Sequence, residues 1–156
     1  MRIYLPATAA DLRAEAISPR TAHAATSALV RALPEEDEEG LEVSASLCAA
    51  DASVVLLAEP GARGLPDRRV VIAADVDAGA VRELEVTEDV LPGSVSVEAP
   101  VPWEDVAAIL VDEPGVRADV ALARVGDEEA FERAADADLL WYDVVEREAL
   151  ARELGV

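Results

Sequence analysis

The chain sets short apolar blocks between turn-forming residues, and the spacing within each block separates strands from helices. Residues 2–5, apolar after Arg2, read as an opening strand stopped by Pro6. Thr8 with Asp11 three positions on is a capping-box pattern and predicts a helix through Ile17. Ser18-Pro19-Arg20 breaks that helix, residues 21–25 read as extended, and Thr26 caps a short helix over residues 28–33. The acidic turn 34–39 precedes the clearest helical period in the chain. Leu41, Ala45, Cys48, Ala52, Val55 and Leu56 fall on one stripe that continues to about Ala58.

Residues 59–66 form a Pro/Gly loop, and residues 69–74 behind it are β-branched and apolar without alternation, as in a strand covered on both faces. That strand belongs in the middle of a sheet. Residues 95–98 alternate and residues 109–111 are continuously apolar, giving further strands on either side of the Pro100-Val101-Pro102-Trp103 corner. Pro114-Gly115 ends the second of these. Residues 116–125 and 128–135 read as helices, the latter capped by Asp127, residues 139–145 as a strand, and the C-terminus as a closing helix. Neither an internal repeat nor a linker divides the chain. The expectation is one α/β or α+β layered domain over residues 1–156, with a mixed β-sheet of about five to six strands and helices packed against it.

Composition narrows the picture. Apolar residues make up 52% of the chain but aromatics only 3%, so the core must be built from many small aliphatic contacts. Asp and Glu number 33 against 13 basic residues, every one of them Arg, for a net charge of −20. That excess repels phosphate backbones and leaves no basic stripe, so nucleic acid is not an expected partner. The apolar runs at residues 70–74 and 107–111 are closed by acids well short of the roughly 20 residues a membrane span needs. No apolar leader follows Met1, and Cys48 stands alone without a disulfide partner, which together predict a cytoplasmic, reducing environment and no membrane partner. The absence of Lys, Asn and Gln points to a GC-rich coding sequence, although adaptation to high salt produces a similar acidic, Lys-poor surface.

The lack of Lys also excludes a Walker A lysine, a receiver-type phosphoacceptor site and Schiff-base chemistry. Asp75, Asp112 and Asp143 each end, or stand late in, an apolar strand segment. On parallel neighbouring strands their carboxylates would converge at one sheet edge, where they could act in catalysis or bind Mg²⁺. The plainer reading is that an acid-rich chain places several Asp residues in turns after strands. His23 is the only imidazole, and no nucleophile-elbow pattern surrounds Ser27, Ser44 or Ser46, which points to a partly buried or surface histidine rather than a catalytic one. Cys48 on the helical stripe reads as a small hydrophobe. Trp103, Trp141 and Tyr142 are candidate interface anchors in an aromatic-poor chain, with core packing as their commoner use. The run Glu35-Glu36-Asp37-Glu38-Glu39 reads as a solvated helix start before it reads as a phosphate mimic.

Several stretches resemble a small family of uncharacterised proteins from high-GC actinobacteria: Met1-Arg2-Ile3-Tyr4-Leu5-Pro6, Arg20-Thr21-Ala22-His23-Ala24, Arg68-Arg69-Val70-Val71, Ala73-Ala74-Asp75-Val76, Val111-Asp112 and Leu139-Leu140-Trp141-Tyr142. The resemblance implies a bacterial cytoplasmic origin and carries no activity. From the residues themselves, the leading expectation is a non-enzymatic interaction or regulatory protein with no cofactor, acting on a protein partner or as a homodimer. The alternative is a metal-assisted enzyme or ligand-binding domain built on the three aspartates.

Overall fold

The computed structural model describes all residues 1–156 and gives an α+β domain. Its main sheet uses β1 (Arg2–Ala7), β3 (Thr21–His23), β4 (Val70–Asp75), β5 (Val81–Glu83), β6 (Ser94–Val97), β8 (Val106–Asp112) and β9 (Leu139–Tyr142), in the order β5-β6-β3-β1-β4-β8-β9. Every pairing in it is antiparallel. A two-stranded ribbon of β2 (Ala16–Ile17) and β7 (Val101–Pro102) lies beside it. The helices are α1 (Ser27–Ala32), α2 (Glu38–Leu57), α3 (Arg117–Ala123), α4 (Glu128–Ala135) and α5 (Arg147–Glu153).

The period-2 alternation of the strands divides the core into two layers. Ile3, Leu5 and Ala7 of β1, with Val70, Ile72 and Ala74 of β4 and Ile109 and Val111 of β8, face Leu12, Ile17, Val101 and the α5 residues Leu150, Ala151 and Leu154. Tyr4, Val71, Ala73 and Ala108 face the other way, onto Leu29 of α1 and Leu41, Ala45, Ala49 and Ala50 of α2. The register of β4 and β8 shifts after Ala73, so that Val106 joins Ala74 on the α5 face. Helices α3 and α4 pack against the end of α2 through Leu57, Val116, Val120 and Ala134.

Thr26 and Asp127 cap α1 and α4 as expected, and Asp37 in the acidic turn caps α2, each accepting a backbone N–H with its side-chain oxygen. Other segments differ from the sequence pattern. Pro6 lies inside β1, opposite Val71 of β4. Its imino nitrogen points toward β3, where the recorded pairing is Tyr4 with His23, and its carbonyl on that side accepts from Arg20 Nη1 at 3.0 Å. No rung is lost there, so the missing N–H is tolerated. The segment after Thr8 is a short 3-10 turn, Ala9–Arg13, and residues 16–17 belong to β2. Asp11 accepts the Thr8 N–H and also holds Arg20, which fixes the chain in a turn. The last strand stops at Tyr142 because Asp143 caps a following turn.

Helix α2 starts where the acidic turn predicts, but its buried stripe is Leu41, Ala45, Ala49, Ala50, Ser53, Val54 and Leu57. Val55 points to solvent. The fully buried Ser53 shifts the stripe: its hydroxyl donates to the Ala7 carbonyl at 2.7 Å and accepts the Val70 N–H at 3.1 Å, bridging the last partners of β1 and β4. An 18-residue window of α2 is apolar enough to cross a membrane by length and composition, a feature hidden when apolar runs are counted only between charges. Here that apolar character covers the sheet.

The deepest polar contact joins Arg69, at the entry to β4, to Asp112, at the end of β8; both are 0% exposed. Asp112 accepts from Arg69 Nη2 at 2.8 Å, from Nε at 3.0 and 3.1 Å and from its backbone N–H at 2.8 Å. Replacing Asp112 by Ala strands a buried guanidinium and should destabilise the protein by roughly 3–5 kcal/mol, whereas Arg69→Met with Asp112→Leu should recover most of that loss. Ser53→Ala, which orphans two backbone groups, should cost about 1–3 kcal/mol. Urea denaturation of the three variants checks all of these values.

Candidate functional site

The three strand-end aspartates do not meet. Strands β4 and β8 are antiparallel, so Asp75 and Asp112 end them at opposite edges of the sheet, and the parallel arrangement that would gather them is not found. Asp75 forms an exposed pair with Arg2 at 2.7 and 3.0 Å, and that guanidinium holds its carboxyl below the usual range. Asp112 is consumed by Arg69. Asp143 accepts from the Val145 N–H at 3.0 Å while its own N–H donates to Glu146, a reciprocal cap. No group of three or more His, Cys, Asp or Glu side chains is placed to hold a metal ion.

The aromatic candidates divide. Trp103 leans on the α5-side core, donates Nε1–H to the Ala14 carbonyl at 2.9 Å and carries the Arg147 guanidinium 4.3 Å above its ring centroid. Tyr142 packs on the same core. Trp141 is 65% exposed on β9, an edge strand, between Leu140 at 40% and Val145 at 85%. The backbone hydrogen bonds of β9 run to β8, and its outer edge has no strand beside it. Cys48 is half-buried in α2, and burial together with Asp51 pushes its thiol up and away from thiolate chemistry. Within the acidic run, Asp37 is the α2 cap.

A groove of about 660 Å³ opens between the C-terminal half of α2 and the β1–β3 region of the sheet. Its apolar wall includes Pro6, Ala52, Leu56 and Leu65; its polar side has Thr8, Thr21, His23 and the Arg20–Asp11 pair. The groove forms where β3 stops tracking β1, the same divergence that accommodates Pro6. His23 and Thr21 share a face of β3, while Ala22 goes into the opposite core. Register places His23 directly opposite both Tyr4 and Ser94, and all three are buried. Ser94 is thus the register partner of His23 on β6, far from it in the chain and invisible to local pattern. Gly93, at φ 92°, sets up this register: its carbonyl accepts the Ala24 N–H, and a Cβ there would meet the Ala24 carbonyl at 3.0 Å.

His23 is 6% exposed, and its Nδ1 has no hydrogen-bond partner within the protein. Burial lowers its pKa and keeps the ring neutral. The sequence reading of a partly buried or surface histidine left open both the full burial and the unpartnered nitrogen beside a groove. Only the divergence of β3 from β1 creates that setting.

The chain belongs to a family of unknown function, DUF6912, whose pattern covers residues 1–151. No curated protein and no solved structure matches it.

A histidine with a lowered folded-state pKa binds its proton more readily when unfolded. The stability it contributes is therefore complete above the unfolded value, about 6.5, and is lost as pH falls toward the folded value. Urea midpoints for the protein and for His23→Phe, taken between about pH 5 and 7.5, should diverge below about pH 6.5, with the unsubstituted protein losing more. Parallel curves would mean that the ring is solvated and protonates in place.

Proposed function

We propose that the protein is a non-enzymatic interaction module that takes an extended, basic segment of a protein partner onto the outer edge of β9. The observation that carries this reading is the exposed Leu140-Trp141 pair on an edge strand without a neighbour, with Val145 close behind it. An uncovered apolar edge is the template to which another chain adds a strand: main-chain bonds supply affinity, and side chains such as Trp141 supply anchors. Asp138 and Asp143 flank β9 at either end, and the whole chain carries a charge of −20. A second copy paired antiparallel across this edge would set Asp138 of one chain toward Asp143 of the other, so like charges oppose self-pairing. A basic partner meets no such penalty.

A synthetic octapeptide of alternating valine and arginine, titrated into ¹⁵N-labelled protein, should shift the amides of residues 138–143 most strongly and should weaken as salt rises. The valine–glutamate counterpart should not bind. Leu140→Ser with Trp141→Ser should weaken the arginine peptide by about tenfold or more. Shifts spread evenly over the acidic surface would overturn the proposal. So would a dimer in sedimentation that the same double substitution dissolves, because the edge would then belong to a second copy.

A further inference from the structure

We propose that the groove beneath the C-terminal half of α2 is a small-molecule site for a cationic amine on a short apolar body, with His23 as its hydrogen-bonding group. At about 660 Å³ the groove lies within the roughly 300–1,000 Å³ range of small-molecule sites, and it combines an apolar wall with a few polar groups.

The charge of the ligand follows from Arg20. Its Nε donates to the Ser18 carbonyl, Nη1 to the Pro6 carbonyl and Asp11, and Nη2 to Asp11 and the Ser18 hydroxyl. All five guanidinium donors are therefore spent on the protein, and Asp11 neutralises the charge. No cation remains to receive a carboxylate or phosphate. Glu59 lines the same groove and takes part in none of the protein's ion pairs. The groove therefore favours positive charge.

Hydrogen bonding follows from His23. It is more than nine-tenths buried and lines the groove; its Nδ1 is sealed from solvent without a partner, and its Nε2, which makes no hydrogen bond to the protein either, is the ring nitrogen left open to a ligand. A neutral imidazole keeps one acceptor nitrogen, and an ammonium is the donor that both this acceptor and Glu59 attract. The hydrocarbon body of such a ligand covers Pro6, Ala52, Leu56 and Leu65. The site shares no residue with the β9 edge, so it stands or falls independently of the proposed partner.

Because His23 is the only histidine, its ring ¹⁵N signals are assigned without ambiguity. The test titrates 2-phenylethylamine, 2-phenylethanol and 3-phenylpropionate, similar in size and different in charge, at pH 7.5 while following those signals and the amides of Thr21 and Leu56. The amine should give a saturable shift of the ring nitrogens, the alcohol should bind about tenfold more weakly, and the carboxylate should give no saturable shift. Leu56→Trp should fill the groove and abolish the amine response, and Trp141→Ser should leave it intact. The proposal fails if the carboxylate binds as well as the amine, if no probe gives a saturable shift, or if folded Leu56→Trp responds as the unsubstituted protein does. The probe series on the unsubstituted protein decides the matter even where a variant does not fold.

Discussion

The Arg69–Asp112 contact is the joint on which the other elements hang. It ties the start of β4 to the end of β8, the two longest neighbours in the middle of the sheet. Arg68 Nε donates to the Asp112 carbonyl at 2.7 Å, and Arg69 Nη2 reaches the Ala137 carbonyl at 3.3 Å, which fixes the turn from which β9 departs. Arg69 Nη1 lies 4.0 Å from Asp51 of α2, two residues before Ser53, which enters the β1–β4 ladder. Burial raises the pKa of Asp51 and Arg69 opposes that rise, so the helix brings its acid to the cation at some desolvation cost. Sheet, covering helix and edge strand are thus positioned from one point.

Arginine serves this role repeatedly. Arg124 donates to the carbonyls of Leu57, Leu65 and Ala62 and to Asp67, locking the end of α3 to the loop after α2. Arg20 gathers Pro6, Asp11 and Ser18. Arg147 reaches the Leu12 and Ala14 carbonyls and covers Trp103. A planar fork with five donors bridges several acceptors at once, which a lysine ammonium does less well. With so few aromatics to fill space, these clamps stitch loops that the small aliphatic core does not reach.

The parts of this architecture legible in the sequence are those that local chemistry decides. Thr26, Asp127 and the acidic turn before α2 announce helix starts because a cap needs only its own next turn. The unbroken apolar run of β4 announces a central strand because both its faces are covered. What escaped depends on distant partners. Pro6 reads as a strand end until β3 is known to diverge on its imino side. Ser53 falls outside the apolar stripe until its hydroxyl meets Ala7 and Val70. Three aspartates after apolar runs suggest convergence only if the strands are parallel, and chain direction between neighbours is not encoded in a run of six residues. The groove and the His23–Ser94 juxtaposition come from register alone.

The same split bears on function. A catalytic centre in a chain this acidic would have to gather its carboxylates against their repulsion, with a metal or a cation to hold them. Instead Asp75, Asp112 and Asp143 are each neutralised or spent locally, and Asp11 is spent on Arg20. Two features carry the proposed readings: an apolar edge at β9 between acidic flanks, and a buried imidazole lining a groove beside Glu59. Both present apolar surface next to uncompensated negative charge. On the proposed reading, a positively charged group on an apolar carrier, peptide or small molecule, supplies the missing countercharge at either place.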